Sequence, residues 1–182
     1  GGAVYSNSAA LVLDSCIFYD NVATDGDGGA VRADGGNVTI VGGKFLGNTA
    51  SRYGGAVAAT GAINSLVVKD RSKFDGNTAL VGGALYCSGM TEGGLATFYG
   101  GGAVVFLFTS ANITNSVFSS NHAQHSGGAL LGGNGTDITV DGCTFENNTA
   151  VMVGGAIAAA TMTLGGNSQL ASNTATLSGG AV

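Results

Sequence analysis

One phrase recurs along this chain and limits how it can fold. A glycine pair followed by Ala and an aliphatic residue begins at residues 1, 28, 54, 82, 101, 127, 154 and 179. Between the pairs comes a second element, Phe-x-x-Asn-x-Ala, which is present five times, and a sixth time with Leu170 in place of Phe. Repeats of this length are typical of solenoids, in which each repeat is one coil that buries its apolar face against its neighbours.

The residues ahead of each Phe alternate between apolar and polar, which indicates a strand. Leu11 and Leu13, for example, stand seven and five residues before Phe18. In the third and sixth repeats the matching positions lie one residue further away, which predicts a bulge. A helix is disfavoured because every repeat contains several glycines, each costing roughly 1 kcal/mol in a helix interior.

A repeat with three short strands cannot bury its own apolar face, but stacked repeats can. We therefore predict an all-β fold, a right-handed parallel β-helix of about six coils of ~26 residues, in which each strand pairs with its equivalent one coil on. We expect the chain to be a single segment of such a β-helix, without caps. The predicted coils are 1–27, 28–53, 54–81, 82–126, 127–153 and 154–178, and 179–182 begin the next coil. The fourth coil carries an excursion near 87–105; the alternative is that 82–100 form a degenerate coil of their own.

Each part of the phrase has a predicted place. The Phe rings stack inside, the Asn side chains hydrogen-bond from coil to coil at a corner where Asn tolerates left-handed backbone angles, and the glycine pair makes the next corner because glycine adopts positive φ freely. The predicted ladder residues are Phe18, Phe45, Phe74, Phe118, Phe145, Leu170, Asn21, Asn48, Asn77, Asn121, Asn148 and Asn173.

Composition excludes several partners. Lys and Arg total six and are scattered, and the net charge is -5, so we expect no nucleic-acid partner. No apolar run approaches the ~20 residues of a membrane helix, so we expect no membrane span in this segment. The chain begins and ends within its phrase. We therefore expect its end coils to continue into neighbouring coils of a longer chain, or to stack on copies of the same chain as a filament.

These motifs resemble a known family. GGAV at 1–4, 28–31 and 54–57, GGAL at 82–85 and 127–130, and GGAI at 154–157 alternate with FYDN, FLGN, FDGN, FSSN and FENN. The combination is similar to the repeats of the chlamydial polymorphic membrane proteins and related β-helical surface proteins. The resemblance implies a β-helical passenger at a cell surface or outside the cell that acts as an adhesin, with a host or cell-surface protein or glycan as partner.

An enzyme is the alternative, because β-helices also host polysaccharide lyases and hydrolases. Such sites need clustered carboxylates. The best cluster lies in "KDRSKFD" at 69–75, which alternation divides between two faces, and Asp14, Asp70 and Asp141 belong to separate coils. A sugar-cleavage assay with Asp70→Asn as control would test it. We predict no catalytic residues and no enzyme.

No cofactor or metal site is predicted either. Asp25 and Asp27 begin a calcium-like loop that lacks its further ligands, and His122 and His125 form no complete ligand set. Cys16 and Cys143 lie four coils apart, too far for a disulfide.

Two sets of outward residues remain as predicted contact or modification sites. If the protein is secreted by a eukaryote, the sequons at Asn37, Asn112 and Asn134 are possible glycosylation sites. Leu95, Phe98 and Tyr99, on the excursion, form the predicted partner-contact loop.

Overall fold

The described residues form strands and no helix. The structure is a computed structural model that describes residues 1–69, 72–87, 90–99, 104–106, 110–114 and 117–182. Within these ranges, the side chains of 62–66, 69, 87, 90–99, 104–106, 110–114, 132–137 and 160 are outside the description. None of the described residues belongs to a helix able to cross a lipid bilayer.

The strands are short at the corners and longer along one wall. In chain order they are β1 (Val4–Asn7), β2 (Leu11–Asp14), β3 (Ile17–Tyr19), β4 (Val22–Ala23), β5 (Val31–Val41), β6 (Lys44–Leu46), β7 (Thr49–Ala50), β8 (Val57–Lys69), β9 (Lys73–Asp75), β10 (Thr78–Ala79), β11 (Leu85–Cys87), β12 (Met90–Tyr99), β13 (Val104–Phe106), β14 (Ser110–Thr114), β15 (Val117–Ser119), β16 (His122–Ala123), β17 (Leu130–Asp141), β18 (Thr144–Glu146), β19 (Thr149–Ala150), β20 (Ile157–Gly165), β21 (Gln169–Ala171) and β22 (Thr174–Ala175).

Three parallel sheets make the walls of a solenoid. The first sheet has ten strands in the order β1-β5-β8-β11-β13-β17-β14-β12, with β2 paired to β5 and β20 to β17. The second follows β3-β6-β9-β15-β18-β21, and the third follows β4-β7-β10-β16-β19-β22. Every pair joins like positions of neighbouring coils, so the predicted fold class, an all-β parallel solenoid, is confirmed.

Stacked Phe rings fill the interior beside the second sheet. The ring centroids of Phe18 and Phe45 are 5.0 Å apart, those of Phe45 and Phe74 are 4.6 Å apart, and those of Phe118 and Phe145 are also 4.6 Å apart. Leu170 pairs in register with Phe145 and continues the column. Burial of each large apolar side chain stabilises the fold by roughly 1.5–3 kcal/mol.

A column of Asn side chains runs along the corner between the second and third sheets. The Oδ1 atom of Asn48 accepts hydrogen bonds from the backbone N–H and the Nδ2 of Asn21, at 3.0 and 2.8 Å. Its Nδ2 donates to Oδ1 of Asn77 at 3.0 Å and to the carbonyl oxygen of Phe18 at 3.1 Å. One buried amide therefore holds three successive coils in register. Asn148 repeats the pattern with Asn121, Asn173 and the Phe118 carbonyl.

The prediction that the ladder Asn itself takes a left-handed backbone conformation is wrong. The residue immediately before each ladder Asn has the positive φ. These residues are Asp20, Gly47, Gly76, Ser120, Asn147 and Ser172, with φ between 53° and 63°. The ladder position therefore requires the amide for its hydrogen bonds, while the turn is made one residue earlier.

The two glycines of each pair serve different purposes. The first has a positive φ, as at Gly54 with 62°. The second lies where neighbouring coils approach most closely, because a Cβ atom on Gly55 would collide with the carbonyl oxygen of Gly83. A positive φ therefore explains only half of the pair.

The first sheet has an additional layer at one place. β11 and β12 lie between β8 on one side and β13 and β14 on the other. In the other two sheets, β9 pairs directly with β15 and β10 with β16. Residues 85–87 and 90–99 thus extend one wall by one strand spacing, ~4.8 Å. This layer divides the solenoid into an N-terminal stack, residues 1–81, and a C-terminal stack, residues 117–182. The coil boundaries drawn from the sequence stay predictions.

Candidate interaction surface

Differences between coils lie on the outside, because the inward positions repeat. One outer corner, formed by the N-terminal stack and the adjoining strand β11, gathers three of the chain's five tyrosines and two of its three arginines. We name it the tyrosine–arginine corner. It consists of Tyr5, Asp27, Arg32, Asp34, Arg52, Tyr53, Thr60 and Tyr86.

The strand alternation that buries the core turns Tyr5, Arg32 and Tyr86 away from it, and of these Tyr86 is covered, at 8% exposure. Val31 is fully buried, so its neighbour Arg32 points outward from β5. Tyr5 pairs in register with Arg32, Arg32 with Ala58, and Ala58 with Tyr86. This column is therefore formed by the fifth residues of successive glycine phrases. Its side chains are large at Tyr5, Arg32 and Tyr86 and small at Ala58.

Asp27 is the buried anion of the corner. It is only 4% exposed. Arg52 donates from Nε to Oδ1 at 3.2 Å and from Nη2 to Oδ2 at 3.1 Å, a bidentate pair. Nη1 of Arg32 lies 3.4 Å from the same Oδ2. The guanidinium groups of Arg32 and Arg52 thus both pair with the Asp27 carboxylate, which would be costly to bury without a partner.

Asp34 is the second anion. It accepts hydrogen bonds from Nε of Arg32 at 3.1 Å, from the Tyr5 hydroxyl at 3.1 Å, and from the Thr60 hydroxyl. Burial alone would raise the pKa of Asp34, but the hydrogen bonds from Thr60, Arg32 and Tyr5 outweigh it and hold the pKa below its ordinary value. The hydrogen bond to Asp34 raises the pKa of Arg32. Both groups are therefore fully charged at neutral pH.

Aromatic rings complete the corner. Tyr53 and Tyr86 stack with their centroids 4.5 Å apart. The guanidinium carbon of Arg52 lies 5.8 Å from the centre of the Tyr53 ring, within cation–π range. Tyr5 is 60% exposed and Arg52 keeps more than half of its side chain in solvent.

The corner is suited to contact rather than to acid–base chemistry. Both of its carboxylates are paired with guanidinium groups, and the lowered pKa of Asp34 makes it a poor proton donor at neutral pH. Tyr and Arg are the side chains most often found at the energetic centres of protein interfaces. Hydrogen bonds already hold Tyr5, Arg32 and Arg52 in place, so these side chains would lose little further entropy in a contact.

The charged residues at 69–75, weighed for the enzyme alternative, are described only in part. Lys73 forms an ion pair with Asp75 at 2.9 Å on the surface. Asp70 and Arg71 lie outside the described residues. Asp14 pairs in register with Val41, and Val41 with Lys69, so the column of Asp14 continues with an apolar and a basic residue.

The histidines and cysteines also lie apart from one another. Nδ1 of His122 is 2.7 Å from the Thr149 hydroxyl, whereas Nδ1 of His125 is 3.1 Å from the Ser126 hydroxyl. The thiols of Cys16 and Cys143 each lie 3.3 Å from a carbonyl oxygen of their own coil, and neither is in a disulfide. Across the part of the chain that the structure describes, no three His, Cys, Asp or Glu side chains could share a metal ion.

The other predicted sites are only partly described. Asn37 is exposed on β5. Asn112 lies on β14 and Asn134 on β17, and their side chains are outside the described set. The same holds for the predicted contact residues Leu95, Phe98 and Tyr99 on β12. Glycosylation and partner contact at these residues stay predictions.

Sequence reasoning missed the tyrosine–arginine corner, although a signal was present. The phrases GGAVY, GGAVR and GGALY differ in their fifth residue, which alternation places outside. Asp27 and Arg52 stand just ahead of a glycine pair, and only the coiled geometry shows that they meet Arg32 and each other.

Comparison with known proteins finds a family of repeats that matches parts of this chain. The family model of the Chlamydia polymorphic membrane protein repeat matches residues 115–133 and 142–160. The repeats of this chain resemble those of the chlamydial polymorphic membrane proteins. Both matched ranges run from before a Phe-x-x-Asn element through the following glycine phrase, the order in which the sequence analysis places them.

Two curated proteins are similar over most of the chain. One, from Chlamydia muridarum, is named probable outer membrane protein PmpG; it is 31% identical over 197 aligned residues, which cover 90% of this chain and 19% of the relative. The other, from Dictyostelium discoideum, is named metabotropic glutamate receptor-like protein R; it is 31% identical over 150 residues, which cover 81% of this chain and 8% of the relative. The chain thus spans a fifth or less of each relative. No solved structure gives a significant match.

Proposed function

We propose that this chain is a stretch of a non-enzymatic β-solenoid at a cell surface, which contacts a protein partner through the tyrosine–arginine corner in the manner of an adhesin. The polymorphic membrane protein repeats and the similarity to an outer membrane protein support the cell-surface location. The proposed contact role rests on the exposed, hydrogen-bonded Tyr and Arg side chains of the corner.

The stacked interior supports a rod that presents this corner. Phe and Asn columns run through each stack and hold its coils in register, which keeps the corner at a fixed place on the N-terminal stack. A protein partner is favoured over a charged small ligand because the two Arg and two Asp side chains of the corner cancel in charge.

Binding to cultured epithelial cells tests the proposal. Fluorescently labelled chain is added to cells and the bound fraction is measured by flow cytometry, with unfolding curves to verify that each variant is folded. Arg52→Ala and Tyr5→Ala are expected to weaken binding at least about tenfold, the loss typical of an interface hot spot.

Leu177→Ala is the matched control. Leu177 stands two residues before a glycine pair, as Arg52 does, and is 69% exposed in the C-terminal stack. It is expected to bind as well as the unaltered chain. Equal losses in all three variants, or no binding to any cell, would contradict the proposal. Pretreating the cells with protease should remove binding; removal by glycosidase alone would indicate a glycan partner instead.

End-to-end stacking of copies into filaments is a separate prediction. Sedimentation of the purified chain over a range of concentrations measures it, since stacking copies would sediment faster as the concentration rises.

A further inference from the structure

The two stacks meet at a junction where the coil-to-coil contacts are weaker than elsewhere. In the third sheet, a backbone N–H just after each ladder Asn donates to the carbonyl oxygen of the ladder Asn one coil before. This distance is 2.9 Å for Thr49 to Asn21, Thr78 to Asn48, Thr149 to Asn121 and Thr174 to Asn148. Across the junction, from His122 to Asn77, it is 3.4 Å.

The Asn column is interrupted at the same place. Oδ1 of Asn48 and Oδ1 of Asn148 each accept two hydrogen bonds from the preceding Asn. Oδ1 of Asn121 is completely buried and, within the described part of the chain, is the one buried side-chain oxygen or nitrogen without a hydrogen-bond partner. A buried acceptor without a hydrogen-bond partner destabilises the fold, and the other described steps of the column avoid this cost.

The second sheet shows the same weakening. β3 with β6, β6 with β9, β15 with β18 and β18 with β21 each pair over three residues. Across the junction, the register pair described between β9 and β15 is Ser119 with Asp75, whose side chains also form a hydrogen bond of 3.3 Å. The third sheet keeps both register pairs across the junction, Thr78 with His122 and Ala79 with Ala123, so its weakening lies in the longer His122 hydrogen bond alone.

The additional layer of the first sheet explains why these contacts weaken. β11 and β12 hold β8 apart from β13 and β14 by one further strand spacing, ~4.8 Å, while the second and third sheets must close the same step directly. The walls then differ in length at this level, so the shorter walls are stretched.

We propose that this junction is a hinge, at which the second and third sheets separate while the two stacks stay intact. The Phe and Asn columns are complete on both sides of the junction, so each stack moves as a unit. The additional layer keeps the first sheet continuous across the junction and forms the side about which the stacks bend.

Amide hydrogen exchange resolved by residue tests the hinge. The His122 amide is expected to exchange at least about tenfold faster than the Thr149 amide, which occupies the same position one coil on; tenfold corresponds to ~1.4 kcal/mol. Equal protection of the two amides would overturn the proposal.

Deletion of residues 82–100 tests the cause. The deletion joins Val81 to the glycine phrase at 101 and restores a spacing of 28 residues from the phrase at 54. With one layer in every wall, Oδ1 of Asn121 should meet Asn77, and the exchange of the His122 amide should slow to that of Thr149. A folded deletion variant in which His122 still exchanges fast would show that the additional layer is not the cause.

If the deletion prevents folding, two point variants test whether the Asn column is interrupted at Asn121. Asn148→Ala removes an amide with hydrogen bonds on both sides, and is expected to speed the exchange of neighbouring amides at least about tenfold. Asn121→Ala removes an amide bonded on one side only, and is expected to change exchange less than about threefold. Equal effects would contradict a broken column at Asn121.

Discussion

The two stacks are alike inside and different outside. Phe45 and Phe145 are both fully buried and both stack at 4.6 Å on a neighbouring ring. In contrast, all six Lys and Arg residues lie between positions 32 and 73, so the C-terminal stack has none. The repeated interior therefore specifies the solenoid, while the basic side chains, among them Arg32 and Arg52 of the corner, distinguish the N-terminal stack.

The largest expected effect tests the likeness of the interiors. Phe45→Ala and Phe145→Ala should each lower the free energy of unfolding by about 3–5 kcal/mol, since each leaves a cavity in a ring column. Denaturant unfolding followed by circular dichroism measures both. A cost for one variant less than half that of the other would show that the stacks are not equivalent.

A glycine substitution should have the next largest effect and again be equal in the two stacks. Gly55→Ala and Gly155→Ala each place a Cβ atom against the carbonyl oxygen of the next coil, Gly83 or Gly180. Overpacking of this kind should cost about 1–3 kcal/mol. Thermal unfolding curves measure it, and Gly26→Ala, where a Cβ atom meets nothing within 4 Å, is the control expected to change little.

A charge substitution should separate the two stacks. Asp27→Asn leaves Arg32 and Arg52 without their shared carboxylate and should cost about 1–2 kcal/mol. Asp141→Asn, on an exposed residue of the C-terminal stack, should cost less than ~0.5 kcal/mol. Chemical denaturation of both variants is the measurement, and equal costs would mean that the corner adds no stability.

Acid should lower the stability that the corner contributes, and this is the smallest of the expected effects. The folded pKa of Asp34 lies below its ordinary value, so this carboxylate contributes stability above about pH 4 that is lost as the pH falls through the folded pKa. Asp34→Asn should abolish this part of the pH dependence, measured as the midpoint of unfolding between pH 5 and pH 2. An unchanged slope would contradict the network around Asp34.

The sequence predicts the interior well because the residues that form it recur at the same positions in each coil. Alternation and the fixed spacing of Phe and Asn determine the strands, the ring column and the amide column. The one-residue offset of the third repeat is also visible in the sequence: Lys69 pairs with Val41 and Lys73 with Lys44, so the additional residue falls between Lys69 and Lys73, after the long strand.

What the sequence did not predict depends on contacts between coils. The unpartnered Oδ1 of Asn121 follows from an additional layer on a different wall, and nothing near Asn121 in the sequence distinguishes it from Asn148. Likewise, Asp27 and Arg52 meet only because each coil returns to the same corner. Such features require the pairing of strands, which spacing alone does not give.

A crystal structure of the chain is the most direct test of the stacked columns on which this account rests. It should place the rings of Phe45 and Phe74 face to face with centroids 4.6 Å apart, and Oδ1 of Asn77 within hydrogen-bond distance of Nδ2 of Asn48, at 3.0 Å. A structure in which Phe45 and Phe74 are offset along their strands, or lie on opposite faces of the second sheet, would contradict it.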